Sequence, residues 1–144
     1  MSFLGLDVGE KRIGIARSDE LNLMAHRIGF IERQSEERTV QELKKYLDEF
    51  GVEKIVVGLP RTMRGETKTQ AQKVLSFVEN LRKHFAYPIV TWDERLTTVQ
   101  AERELIAQDV SRANRRKKLD AIAAEIMLQS YLDFLKQQRT ENNV

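Results

Sequence analysis

Apolar positions along this chain change rhythm between an opening of short β-like runs and a remainder in which helical and strand-like spacings alternate. Residues 3–8 and 12–17 are strand-forming runs separated by the turn Gly9-Glu10-Lys11, and 23–32 (LMAHRIGFIE) is a third, which together read as an antiparallel meander. From Ser35 to Phe50 the period becomes helical: Val40, Leu43, Leu47 and Phe50 fall on one stripe, Glu36 and Glu37 sit where the helix dipole favours acids, and Gly51 supplies a stop. Lys54-Ile55-Val56-Val57-Gly58 is nearly all apolar, the signature of a parallel strand covered on both faces, and Leu59-Pro60 is expected to end it.

Residues 61–66 (RTMRGE) read as a basic, glycine-containing loop. Ala71, Val74, Leu75, Val78, Leu81 and Phe85 then mark a second helix, and 88–93 (PIVTWD) the next strand. Thr97 followed by Gln100 fits a capping box opening a third helix to about Ala107. The segment 109–117 lacks periodicity and reads as a polar, basic loop, after which Leu119, Ile122, Ala123, Ile126, Leu132 and Leu135 carry a long last helix. Gln137 to Val144 is polar enough to fray.

The resulting order, βββαβαβαα, predicts an α/β domain over residues 1–136 with a polar tail, 137–144. Its sheet should be mixed and five-stranded, a three-strand antiparallel meander plus two parallel strands, with helices on both faces. A length of 144 residues suits one such domain and leaves no room for a second.

Charge alters the picture more than composition does. The formal net charge is only +2, yet Arg112, Arg115, Arg116, Lys117 and Lys118 form a run without an intervening acid, so local sign matters more than the total. With no cysteine, disulfides and thiolate metal sites are excluded. No apolar run reaches the roughly 18 residues of a membrane span, and MSFLGLD lacks the basic start and apolar stretch of a signal peptide, so a cytoplasmic protein is expected.

The most telling position is Asp7, an acid between Leu6 and Val8 in the first strand. A carboxylate there is costly to desolvate unless a cation or several donors compensate. Gly9 and Gly14 would let backbone approach a ligand, and Lys11 and Arg12 add positive charge, which suits a metal ion or a phosphate. The competing reading pairs Asp7 with Lys11 or Arg12. Asp93 and Glu94 stand at the carboxyl end of the last strand, where α/β sheets gather ligands; because side chains alternate, one of the two is expected to join a site there. Asp120 lies near the expected start of the last helix, either as a first-turn acid or, because Ala121, Ala123 and Ala124 permit close packing, as an acid carried to the strand ends. Three such carboxylates suit hard divalent cations that activate a water for phosphodiester hydrolysis. Lys11, Arg12, Arg64, Arg95, Arg116 and Lys117 would grip a polyanionic backbone.

The ordered set DVGEKRIGIARSD (7–19), GLPRTMRGE (58–66), DERLTT (93–98) and KKLDAIAAEIMLQSYL (117–132) resembles the YqgF family of pre-16S rRNA nucleases, also called Holliday-junction resolvases. The resemblance spans residues 3–135 and implies an RNase H-like fold. It further implies that Asp7, Glu94 and Asp120 are the catalytic acids and the ligands of one or two Mg²⁺ or Mn²⁺ ions, favouring Glu94 over its neighbour Asp93. The implied partners are structured RNA, a pre-rRNA in ribosomal particles, or branched DNA, with no membrane; the chain is expected as a monomer or weak homodimer. One departure is Lys117, which stands one turn before Asp120 where resolvases of this fold carry a second acid.

His26 and His84 lack ligand spacing, Trp92 and Phe30 read as core, and Tyr87 and Met63 are placed in loops within reach of nucleotides. Two rival functions remain. A phosphate-binding module related to sugar kinases and chaperone ATPases needs a second domain for which the length leaves no room, and a noncatalytic nucleic-acid-binding factor in transcription or translation would keep the basic surface without turnover.

Overall fold

The computed structural model describes residues 1–60, 66–94 and 112–142. In chain order these form β1 (Ser2–Val8), β2 (Arg12–Ser18), β3 (Ala25–Glu32), α1 (Glu36–Phe50), β4 (Val52–Pro60), α2 (Glu66–His84), β5 (Ile89–Glu94) and α3 (Arg112–Asn142). One five-stranded sheet results, ordered β3-β2-β1-β4-β5; β1, β2 and β3 pair antiparallel, whereas β1/β4 and β4/β5 pair parallel. This is the mixed sheet anticipated from the apolar pattern. The capping-box helix expected from Thr97 lies outside the described residues, as do Arg64, Met63 and Arg95.

Strand alternation sorts the sheet into two unlike faces. Leu4, Leu6, Ile13, Ile15, Ile55 and Val57 project into a core with Leu43 and Leu47 of α1 and Val74, Phe77, Val78 and Leu81 of α2. Phe3, Ala16 and Val56 project the other way, against Ala124, Met127, Leu128, Tyr131 and Leu132 of α3. Burying these side chains contributes about 1.5 to 3 kcal/mol for each of the larger ones. No helix among the described residues is long and apolar enough to cross a membrane.

Several boundaries differ from the sequence expectation for identifiable reasons. β4 runs on through Leu59 to Pro60, because proline costs least at a strand end, where the ladder hydrogen bond it lacks is not needed. In α2 Phe77 is buried and Leu75 is exposed, so the apolar stripe is offset from the expected one. The segment 112–117, expected as loop, is helical: arginine and lysine are good helix formers, and a charged run has no apolar period to reveal the helix it continues. The tail expected to fray from Gln137 is helical as far as Asn142.

α3 lies unusually close to the sheet. A Cβ on Gly14 would fall 1.8 Å from the Asp120 carbonyl oxygen, and one on Gly5 would fall 2.9 Å from Leu128 Cβ. Gly14 is expected from the sequence to let backbone approach a ligand; what approaches it is the helix itself. Polar bonds hold the helix in that register. The Glu125 carboxylate accepts from the Arg27 backbone N–H (2.9 Å) and from Arg27 Nε (2.6 Å), and Gln129 Oε1 accepts from the Ala25 N–H (2.8 Å). Gly14→Ala is therefore expected to cost about 3 kcal/mol in urea unfolding, because backbone must move to admit the methyl group. Gly29→Ala, with nothing within 4 Å of the new methyl, should change stability by less than about 1 kcal/mol.

Candidate active site

The site grows from the hairpin of β1 and β2. Asp7 lies opposite Gly14 in the register of the two strands, and cross-strand partners share a face. Gly14 faces α3, so half-buried Asp7 stands on the same face; Phe3 and Gly5, at the same strand parity, pack there too. Asp120 is brought to that face by the helix. It is the ninth residue of α3, two turns in, so its expected placement in the first turn is corrected by the earlier helix start at Arg112. The Asp120 backbone sits directly on Gly14, the strand partner of Asp7.

Arg12, two residues before Gly14 and on the same face, donates from Nε to Asp120 Oδ2 at 2.8 Å. Their side chains are 33% and 22% exposed, so the pair is partly screened. The competing reading pairs Asp7 with Lys11 or Arg12; the structure shows Arg12 bonded to Asp120. Lys11 is exposed in the turn. Arg116 and Lys117 lie on α3 one turn before Asp120, with side chains outside the described residues.

β1, β4 and β5 run parallel, so their carboxyl ends, Val8, Pro60 and Glu94, lie along one edge of the sheet. Asp93 is half-buried and in register with Leu59; Glu94, paired with Pro60, ends β5, and its side chain lies outside the described residues. The chemistry of the donor set suits a hard divalent cation, since Asp7 and Asp120 offer carboxylate oxygens from one face. Among the described residues no group of three or more acids or histidines is gathered closely enough to hold a metal ion.

The remaining candidates fall elsewhere. His26 and His84 are exposed, on β3 and at the end of α2. Trp92 packs edge-on to Tyr131 with ring centroids 5.4 Å apart. Tyr87, half-buried, packs beside Phe85 against the α1/α2 core. Arg33 went unnoticed in the sequence, where a lone arginine after a strand carries no signal. Its Nη1 donates to the Gly9 carbonyl at 2.8 Å and its N–H to the Lys11 carbonyl at 2.8 Å, so it grips the turn that follows Asp7.

Comparison with known proteins gives the family and the fold. The family described as "RuvX: Holliday junction resolvase" matches residues 1–134. A protein of Desulforudis audaxviator named "Putative pre-16S rRNA nuclease" is 42% identical over 139 residues, covering 96% of this chain and 99% of the relative. One of the same name from Desulforamulus reducens is 46% identical over 133 residues, covering 92% and 97%. Among solved structures, Thermus thermophilus RuvC in complex with a Holliday junction substrate aligns with a TM-score of 0.54 at 18% identity, covering 88% of this chain and 92% of that one. The fowlpox virus Holliday junction resolvase aligns with a TM-score of 0.56 at 11% identity, covering 94% and 99%. The fold is RNase H-like.

The Arg12–Asp120 contact has a measurable signature. In a double-mutant cycle of Arg12→Ala and Asp120→Asn, urea unfolding should give a coupling of about 1 kcal/mol. High salt should weaken that coupling, as expected of a partly exposed pair.

Proposed function

Because this chain belongs to the RuvX family of Holliday junction resolvases, matched over residues 1–134, we propose that it is a metal-dependent endonuclease processing the 5′ end of pre-16S rRNA. The observation that carries the reading is the placement of Asp120 on Gly14, the strand partner of Asp7, which sets two carboxylates on one face at the carboxyl ends of parallel strands. The relatives at 42% and 46% identity, named for pre-16S rRNA, favour RNA over a DNA junction as the natural substrate.

The residues proposed to hold Mg²⁺ or Mn²⁺, as one or two ions, are Asp7, Asp120 and Glu94. Glu94 is preferred to Asp93 because it shares the strand parity of Val90 and Trp92, which pack against α3. Bound there, a divalent cation supplies Lewis-acid activation of the attacking water and charge stabilisation at the leaving oxygen. The protein's own groups do the positioning. Arg12 holds the Asp120 carboxylate from the side, and Lys11, exposed in the adjoining turn, meets a phosphate of the substrate strand. Arg64, Arg95, Arg116 and Lys117 are proposed as further phosphate contacts by their charge alone. The proposed setting is cytoplasmic ribosome assembly.

The decisive comparison is wild type against Asp7→Asn, each incubated with precursor 16S rRNA and with a four-way DNA junction in the presence of Mn²⁺. Cleavage should fall by about a thousandfold in the variant, while the thermal midpoint stays within about 3 °C. Chelation with EDTA should stop the wild-type enzyme. Undiminished cleavage by Asp7→Asn refutes the mechanism, and cutting of the junction alone makes DNA the substrate. Salt-sensitive RNA binding without any cleavage would identify a noncatalytic factor instead.

A further inference from the structure

The turn after Asp7 is held from outside the hairpin. Gly9 N–H donates to the Arg12 carbonyl at 2.8 Å, which closes the turn on itself. Arg33, just beyond β3, then takes two of its carbonyls: its N–H donates to Lys11 O and its Nη1 to Gly9 O, each at 2.8 Å. The Arg33 guanidinium also lies over the Phe77 ring of α2, 5.3 Å from the centroid. A further tie comes from Lys73 of α2, whose Nζ lies 3.0 Å from Glu10 Oε1. That hydrogen bond, and the Lys73 charge behind it, hold the Glu10 carboxyl below its usual range.

These contacts orient a peptide plane. The Gly9–Glu10 peptide is trans, as are all peptides of the described chain, so its C=O and N–H point in opposite directions. With the Gly9 carbonyl drawn to Arg33, on the Phe77 side, the Glu10 N–H is directed away from α2. Among the described residues no backbone carbonyl accepts from it. The opposite side of the sheet is the one that carries Asp7, Arg12 and Asp120.

We infer that Arg33 is a positioning residue for hydrolysis: by holding the Gly9 carbonyl it presents the Glu10 N–H to a nonbridging oxygen of the substrate phosphate beside Asp7. The inference rests on the nuclease reading and adds to it a backbone donor and the side chain that aims it. A backbone amide suits this task, since it is fixed in direction and neutral, and so does not compete with the carboxylates for a cation.

The test follows the Glu10 amide directly. In ¹⁵N-labelled protein titrated with a short single-stranded oligoribonucleotide, with Ca²⁺ in place of Mg²⁺, the Glu10 N–H resonance should move downfield as the phosphate binds. In Arg33→Met that movement should be lost and kcat should fall about tenfold, as expected for a donor set slightly out of place. KM should stay within about threefold, and Arg33→Lys, which restores one donor, should recover part of both the shift and kcat. A Glu10 resonance that stays put in the wild type at saturating RNA overturns the inference, as does an Arg33→Met variant with wild-type kcat. Should Arg33→Met fail to fold, the wild-type titration and Arg33→Lys decide. If Asp7→Asn is inactive while Glu10 is silent, the inference fails alone; if Asp7→Asn still cleaves, the nuclease reading fails first.

Discussion

Everything at the candidate site depends on the absence of one side chain. Gly14 lets the α3 backbone rest on β2, with the Asp120 carbonyl where a Cβ would be. Any other residue would lift the helix, and Asp120 with it, away from the strand that pairs with Asp7. The contact is a matter of hard-sphere packing, which rises steeply with overlap, so it locates the helix more sharply than the apolar cluster around Leu128 and Met127 can. The Arg12–Asp120 ion pair and the Arg27–Glu125 bonds then set the helix in rotation and register.

Most of the architecture was legible because the two periods, alternating and helical, are strong in β1, β2, β4 and α1. The acid in an apolar strand pointed to Asp7, and the small residues after Asp120 pointed to a helix packed closely on the sheet. The start of α3 was hidden, since a run of arginines and lysines has no apolar stripe and gives the same signal in a helix as in a loop. Gly14 was noticed for its freedom to approach something, but a sequence does not say what approaches it. The role of Arg33 was out of reach for a different reason: it bonds to backbone carbonyls, which every residue possesses, so no partner in the sequence marks it.

The division of labour among the cations follows from where each sits. Arg12 is committed to Asp120 across the face. Arg33 is committed to the turn, from the α2 side. Lys11, between them and exposed, is placed to meet solvent-borne charge. Three basic residues within or beside one hairpin thus meet a carboxylate, two backbone carbonyls and solvent, and exchanging one for another would not conserve these contacts.

The Arg12–Asp120 bond spans 108 positions of the chain. During synthesis the hairpin with Asp7 and Arg12 emerges 108 positions ahead of Asp120, and domains fold largely as the chain is delivered. Until α3 arrives, the face of β1, β2 and β4 that it covers has no partner, and the two acids are not yet neighbours. The juxtaposition of Asp7 and Asp120 is thus among the last features of the domain to form: a copy that stops short of α3 carries the first carboxylate without the second.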